Sequence, residues 1–127
     1  MARLGFVLLA LLVGFSSLAQ ARGTVPDPFV PEVSISALPP EARATVSLIK
    51  QGGPYPYERD GTEFHNYEKR LPLRSAGYYR EYTVRTPGVR GRGARRIVSG
   101  GAGELYYTGD HYRTFSRVLT KPESRQQ

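Results

Sequence analysis

The alternation of apolar and polar positions divides the chain into unlike stretches. From Leu4 to Phe15 the residues are apolar without a break, with Arg3 before them and Ala19-Gln20-Ala21 soon after. A charged start, a short apolar run and a small-x-small site predict an export leader, residues 1–21, cut after Ala21. The run falls short of the roughly 20 residues that span a bilayer. Residues 22–34 carry Pro26, Pro28 and Pro31 and show little periodicity. They predict an extended, loosely ordered N-terminal segment.

The next stretch has helical rhythm. Ala42, Val46 and Ile49 fall at i, i+4 and i+7; Thr45 shares their side, Leu48 flanks it, and Arg43, Ser47 and Lys50 can face water. Pro39 and Pro40 suit an entry turn, Glu41 suits the positive end of the dipole, and Gly52 can take a left-handed cap. The pattern predicts a helix from Pro40 to Lys50.

After "PYPYERDG" the period drops to two. "GTEFHNYEKR" predicts a short strand running into a loop. Tyr79, Glu81 and Thr83 alternate with Tyr78, Arg80, Tyr82 and Val84, a strand pattern that ends at the turn "TPG". "ARRIVSGG", "ELYYTG" and "RTFSRVLT" predict three more strands. Short connections make the sheet antiparallel. The expected fold class is α+β, a single N-terminal helix packed on an antiparallel sheet. The expected domain covers residues 35–121, with residues 122–127 as a tail.

Composition narrows the chemistry. The chain of 127 residues has no cysteine, so it has no disulfide, no thiol nucleophile and no cysteine-based metal site. Its net charge is +7, and losing Arg3 with the leader leaves +6. That balance draws polyanions such as nucleic acid, although it also serves plain solubility. HExxH, paired CxxC and a glycine-rich loop ending in GK[ST] are all missing.

Three residue types remain as candidates. Glu81 sits in a strand between aromatic and hydroxyl neighbours, and Arg92, Arg95 and Arg96 follow in the next strand region. Alone, a carboxylate facing arginines is an ordinary salt bridge. His111 in "YYTGDHYRTF" is, alone, a surface histidine. Together an acid, a histidine and arginines suit phosphoryl transfer. The carboxylate accepts a proton, the imidazolium donates one, and guanidinium groups stabilise phosphate charge. RNA brings its own nucleophile, the 2′-hydroxyl, so neither a metal nor a cofactor is required.

"ALPPEA", "GPYPYERDGTEFHNYE", "GYYREYTVRTPGVRGRGARRIVSG" and "YYTGDHYRTFS" together resemble the microbial guanyl-specific ribonucleases, the family of ribonuclease Sa and, more distantly, barnase. The resemblance runs from about Ile35 to Thr120. It implies Glu81 as general base, His111 as general acid, Arg96 and Arg92 on the scissile phosphate, and Tyr112 beside it. It implies Phe64, His65, Asn66, Tyr67 and Glu68 as the guanine-recognition loop. There, main-chain amides meet the guanine O6, and Glu68 accepts from N1–H and the exocyclic amine. Guanine alone places two adjacent donors next to a carbonyl on its Watson–Crick edge, and an unpaired base exposes that edge. His65 also reads as a solvated loop residue.

The implied function is that of a secreted, extracellular, guanyl-preferring endoribonuclease. It would cut single-stranded RNA 3′ of G through a 2′,3′-cyclic phosphate and, free of the membrane, act as a monomer. An acidic, barstar-like inhibitor protein is a candidate partner, which would make the enzyme a restrained toxin. A non-catalytic basic RNA-binding module on the same fold is the competing reading. Ribonuclease Sa-like members also carry a disulfide joining the two ends of the domain, where this chain has Ser34 and the Lys121–Glu123 segment.

Overall fold

The computed structural model describes residues 30–121. The leader, residues 22–29 and the tail 122–127 lie outside the described residues, as do the expectations that fall on them. Six strands form one sheet in the order β1-β6-β5-β4-β3-β2. They are β1 (Glu32–Ser34), β2 (Thr62–Glu63), β3 (Arg80–Thr83), β4 (Arg96–Ser99), β5 (Leu105–Thr108) and β6 (Ser116–Leu119). Strands β2 to β6 pair antiparallel in sequence order. The α+β expectation of one helix on a mostly antiparallel sheet is met.

Helix α1 spans Pro40–Gln51. Pro40 stands in its first turn, where a missing N–H costs nothing. Gly52 closes it at φ 80°, donating its N–H to the carbonyls of Ile49 and Leu48. The predicted face is the buried one: Ala42, Thr45 and Val46 are buried and Ile49 is partly so. This face packs with Tyr82, Val84, Ile97, Leu105 and Val118 from the sheet.

The other face of the sheet has its own apolar layer, Val30, Leu71, Tyr79, Val98, Tyr106 and Phe115. Phe64, Tyr78 and Tyr112 lean against it. Because strand residues alternate between faces, Glu81 and Thr83 stand on this second side. The register lines Glu81 up with Val98 and then Tyr106, and Thr83 with Arg96 and then Thr108.

One expectation is corrected. Residues 30–34, expected to be loosely ordered, belong to the folded unit. Glu32–Ser34 pairs parallel with β6, with Ser34 opposite Leu119. Arg117 N donates to the Pro31 carbonyl at 2.8 Å. Val30 is buried, and Val33 packs against the helix-side core. A three-residue edge strand is too short to show a period, and proline is tolerated at an edge because its carbonyl still accepts. The pairing holds the two ends of the domain together without a covalent bond. A second difference is that β6 begins only at Ser116. The preceding residues, 110–114, are drawn into a turn by the Asp110 side chain.

Candidate active site

Glu81 lies in the middle of the second sheet face and is only 6% exposed. Its two oxygens have different partners. Arg92 Nη2 donates to Oε1 at 2.9 Å, and the Tyr112 hydroxyl donates to Oε2 at 2.8 Å. Arg92 is itself oriented by its Nε–H, which reaches Thr83 Oγ1 at 3.0 Å. A third cation, Arg59, brings Nε to 3.8 Å from Oε1. Burying a carboxylate is costly unless it is hydrogen-bonded, and both oxygens of Glu81 are met by donors.

Arg96 is 2% exposed, and its Nη1 reaches the carbonyls of Arg95, Gly93 and Arg92 at 2.8, 3.0 and 3.3 Å. The buried arginine thus staples the loop that carries Arg92. Its Nε–H has no partner among the described residues. A buried, charged, unpartnered donor is costly unless a ligand completes it. The guanidinium carbon lies 5.9 Å from the centre of the Tyr112 ring. Arg95 takes the opposite face and approaches Glu41 of α1 at 3.9 Å.

His111 and Tyr112 are placed by a turn at the end of β5. Both adopt left-handed backbone, φ 55° and 69°, which costs a non-glycine residue energy and persists only where surroundings enforce it. Here Thr108 Oγ1 accepts from Tyr112 N at 3.1 Å. Asp110 accepts from Thr108 Oγ1, Thr114 N and Thr114 Oγ1. His111 N donates to the Ala94 carbonyl at 2.9 Å, tying the turn to the arginine loop. The His111 ring is exposed and stands 4.9 Å from that of Tyr112. Burial, and then the hydrogen bond to Glu81, push the Tyr112 phenol up to about 12.

The loop after β2 lines the other end of the same cleft. Phe64 stacks on Tyr112 at 4.9 Å and meets Phe115 edge-on at 5.9 Å. Asn66 adopts φ 53°, and its side chain is fully committed: Nδ2 donates to the Leu71 carbonyl and Oδ1 accepts from Leu71 N. It braces the loop and does not present its amide to the cleft. Among the described residues the main-chain N–H groups of Asn66 and Tyr67 have no partner. Tyr67 is 83% exposed and stacks on His65 at 5.0 Å. Glu68 is exposed and paired with Arg70.

The residues singled out from the sequence therefore gather in one place. Phe64 to Glu68, Glu81 and Tyr112 line one cleft. Arg92 and Arg96 lie behind Glu81, and His111 borders the cleft through Tyr112. Four lining residues, Arg59, Glu63, Arg70 and Phe115, were not anticipated. The signal for Arg59 was the following "DG": Asp60 accepts from Thr83 N at 2.7 Å and from Tyr57 N at 3.1 Å, pinning Arg59 over β3.

Comparison with known proteins places the chain in a family. The ribonuclease family model matches residues 23–119. Guanyl-specific ribonuclease Sa of Kitasatospora aureofaciens is 60% identical over 87 residues, covering 68% of this chain and 91% of that protein. Guanyl-specific ribonuclease St of Saccharopolyspora erythraea is 56% identical over 88 residues, covering 69% and 87%. Among solved structures, ribonuclease Sa2 with mononucleotides superposes with a TM-score of 0.71 at 50% identity, covering 73% of this chain and 97% of that one. Ribonuclease Sa2 with guanosine-2′-cyclophosphate gives 0.70 at 48% identity, covering 73% and 100%.

Proposed function

The chain belongs to the ribonuclease family and is a guanyl-preferring endoribonuclease; from that premise we propose that Glu81 and His111 are its general base and general acid. The observation that carries the assignment is the Glu81 carboxylate itself. It is buried, held on one oxygen by Arg92 and on the other by Tyr112, beside the unpartnered Arg96 Nε–H. That is a proton acceptor next to donors waiting for an anion.

In the first step Glu81 takes the 2′-hydroxyl proton, O2′ attacks phosphorus, the P–O5′ bond breaks, and His111 gives its proton to the departing O5′. The product is a 2′,3′-cyclic phosphate. Arg92 and Arg96 stabilise charge on the phosphoryl oxygens, and the Tyr112 hydroxyl, beside the phosphate, holds the Glu81 carboxylate. In the second step water attacks phosphorus, His111 takes its proton, the P–O2′ bond breaks, and Glu81 returns a proton to O2′, leaving a 3′-phosphate. At the other end of the cleft the free N–H groups of Asn66 and Tyr67 meet the guanine O6. Glu68 accepts from N1–H and the exocyclic amine, and the base stacks on aromatic surface offered by Phe64 and Tyr67. Asn66 contributes through its main chain, its amide being committed to Leu71. His65 contributes by backing Tyr67.

The test is cleavage of a defined single-stranded RNA in EDTA with the new 3′ ends mapped. Cuts after G ending in cyclic phosphate are expected. Glu81→Gln and His111→Ala should each lower kcat by about 10²–10⁴. A base must be ionised and an acid protonated, so the pH–rate profile should be bell-shaped, losing its acidic limb in Glu81→Gln and its alkaline limb in His111→Ala. Full activity in either variant overturns the assignment, and loss of activity in EDTA overturns metal independence.

The leader sequence supports secretion, to be checked by recovering protein that begins at Arg22 from the culture medium. The chain's net charge of +7 supports an acidic, barstar-like inhibitor protein as partner, to be checked by whether barstar abolishes cleavage at stoichiometric ratio. The monomeric state is checked by light scattering.

A further inference from the structure

Arg70 makes two contacts with one nitrogen. Its Nη1 pairs with Glu68 Oε2 and also donates to the Tyr112 carbonyl at 3.1 Å. Glu68 belongs to the recognition loop, and Tyr112 belongs to the turn that carries His111. One guanidinium therefore joins the two ends of the cleft across 42 residues of sequence. The backbone arranges this locally. Lys69 takes φ 55° and donates its N–H to the Asn66 carbonyl at 2.9 Å, so the chain doubles back and Arg70 returns past Glu68.

We propose that Arg70 is a specificity-determining positioning residue: it presents the Glu68 carboxylate to guanine and couples that carboxylate to the catalytic turn. The proposal rests on the reading of Glu68 as the acceptor for the base. Glu68 is on an exposed loop, and its side chain is 68% accessible. An unheld glutamate would sample many rotamers, and binding would have to order it. A carboxylate offers about four lone-pair positions. Arg70 takes one on Oε2, which leaves enough for two guanine donors. The acceptor character of the carboxylate matters for discrimination, because adenine presents an acceptor at N1, with which it cannot pair. At its other end Arg70 pins the carbonyl of a residue held at φ 69°, directly after His111. Filling the guanine site and holding the general acid thus depend on the same side chain.

The experiment is steady-state cleavage of GpC and ApC by the wild-type protein and by Arg70→Gln, Arg70→Lys and Glu68→Gln. Arg70→Gln should lower kcat/KM on GpC about tenfold, the loss expected for a charge-assisted hydrogen bond, and on ApC by less than about threefold. The effect on GpC should appear in both KM and kcat, because the tether reaches Tyr112. Arg70→Lys keeps the charge near Glu68 and should recover part of the KM effect. Equal losses on both dinucleotides would mean that Arg70 merely supports the fold, and the proposal would be wrong. An unchanged G-to-A ratio in Arg70→Gln, with the ratio collapsed in Glu68→Gln, overturns the role of Arg70 and leaves that of Glu68 intact. An unchanged ratio in Glu68→Gln overturns both.

Discussion

The Tyr112 hydroxyl donates to the Glu81 oxygen that Arg92 leaves open, at 2.8 Å. The phenol is pushed up to about 12, so at neutral pH Tyr112 is an uncharged donor. It holds the Glu81 carboxylate without adding a second negative charge beside it. Tyr112→Phe keeps the ring and its stack on Phe64 and loses only the donor. We expect kcat to fall about tenfold, the loss of one hydrogen bond to a charged group, with KM for GpC nearly unchanged. A KM effect larger than the kcat effect would count against this role.

Asp110 makes the catalytic turn sensitive to acid. Its carboxyl is drawn down from 3.8 to about 2, chiefly by the hydroxyl and N–H of Thr114 and also by Thr108 and the Arg113 N–H. A folded pKa below the unfolded one means that the ionised form is bound more tightly in the native state. That stabilisation is whole above 3.8 and is withdrawn as the pH falls towards 2. Urea unfolding across that range should show wild type and Asp110→Asn converging at the acid end and separated at neutral pH. Parallel curves would show that Asp110 is not the group responsible.

Gly93 is required by the loop that carries the arginines. It sits at φ 60°, and a Cβ there would stand 2.6 Å from Thr86 Oγ1. Its carbonyl accepts from the buried Arg96. Gly93→Ala should therefore cost about 1–3 kcal/mol of stability and lower kcat by displacing Arg92 and Arg96. Thermal unfolding with single-turnover cleavage on the folded fraction would separate the two effects. An unshifted melting temperature would exclude the clash.

Arg59 approaches the same Glu81 oxygen as Arg92, at 3.8 Å, and its side chain is 63% accessible. It is free to turn towards a phosphate. Each phosphate contact adds to the salt dependence of binding. Arg59→Gln should flatten the decline of kcat/KM with salt by about one phosphate contact on a logarithmic scale, with a melting temperature near that of wild type. An unaltered slope would leave Arg59 as a surface charge.

Much of this arrangement was legible in the sequence, for physical reasons that differ by element. Helix α1 has a complete signature: an entry proline, a helical apolar stripe and a glycine cap. β3 to β5 are rich in β-branched and aromatic residues and are buried on both faces, so each reads as a strand even where the alternation is weak. β1 was hidden because three residues beside prolines show no period; its place is set by Val118 and Leu119, far along the chain. The site was legible as a set of residue types, and the family resemblance ordered them. What no local pattern could carry was the use of each polar group. The Asn66 amide is consumed by Leu71, Arg95 turns to the helix side, and Arg59 and Arg70 enter the cleft. Those outcomes depend on contacts between residues distant in sequence.

The parallel pairing of β1 with β6 sets the moment at which the enzyme can exist. β1 is the first strand of the sheet to leave the ribosome, and its partner is the last. A nascent chain that stops short of Phe115 already holds Glu81, Arg96 and His111. It still lacks the ring beneath Phe64 and Tyr112 and the strand that covers Val33. Contacts so remote in sequence form late. Chains that stop there hold these side chains without the packing partners and the edge pairing that the finished fold supplies.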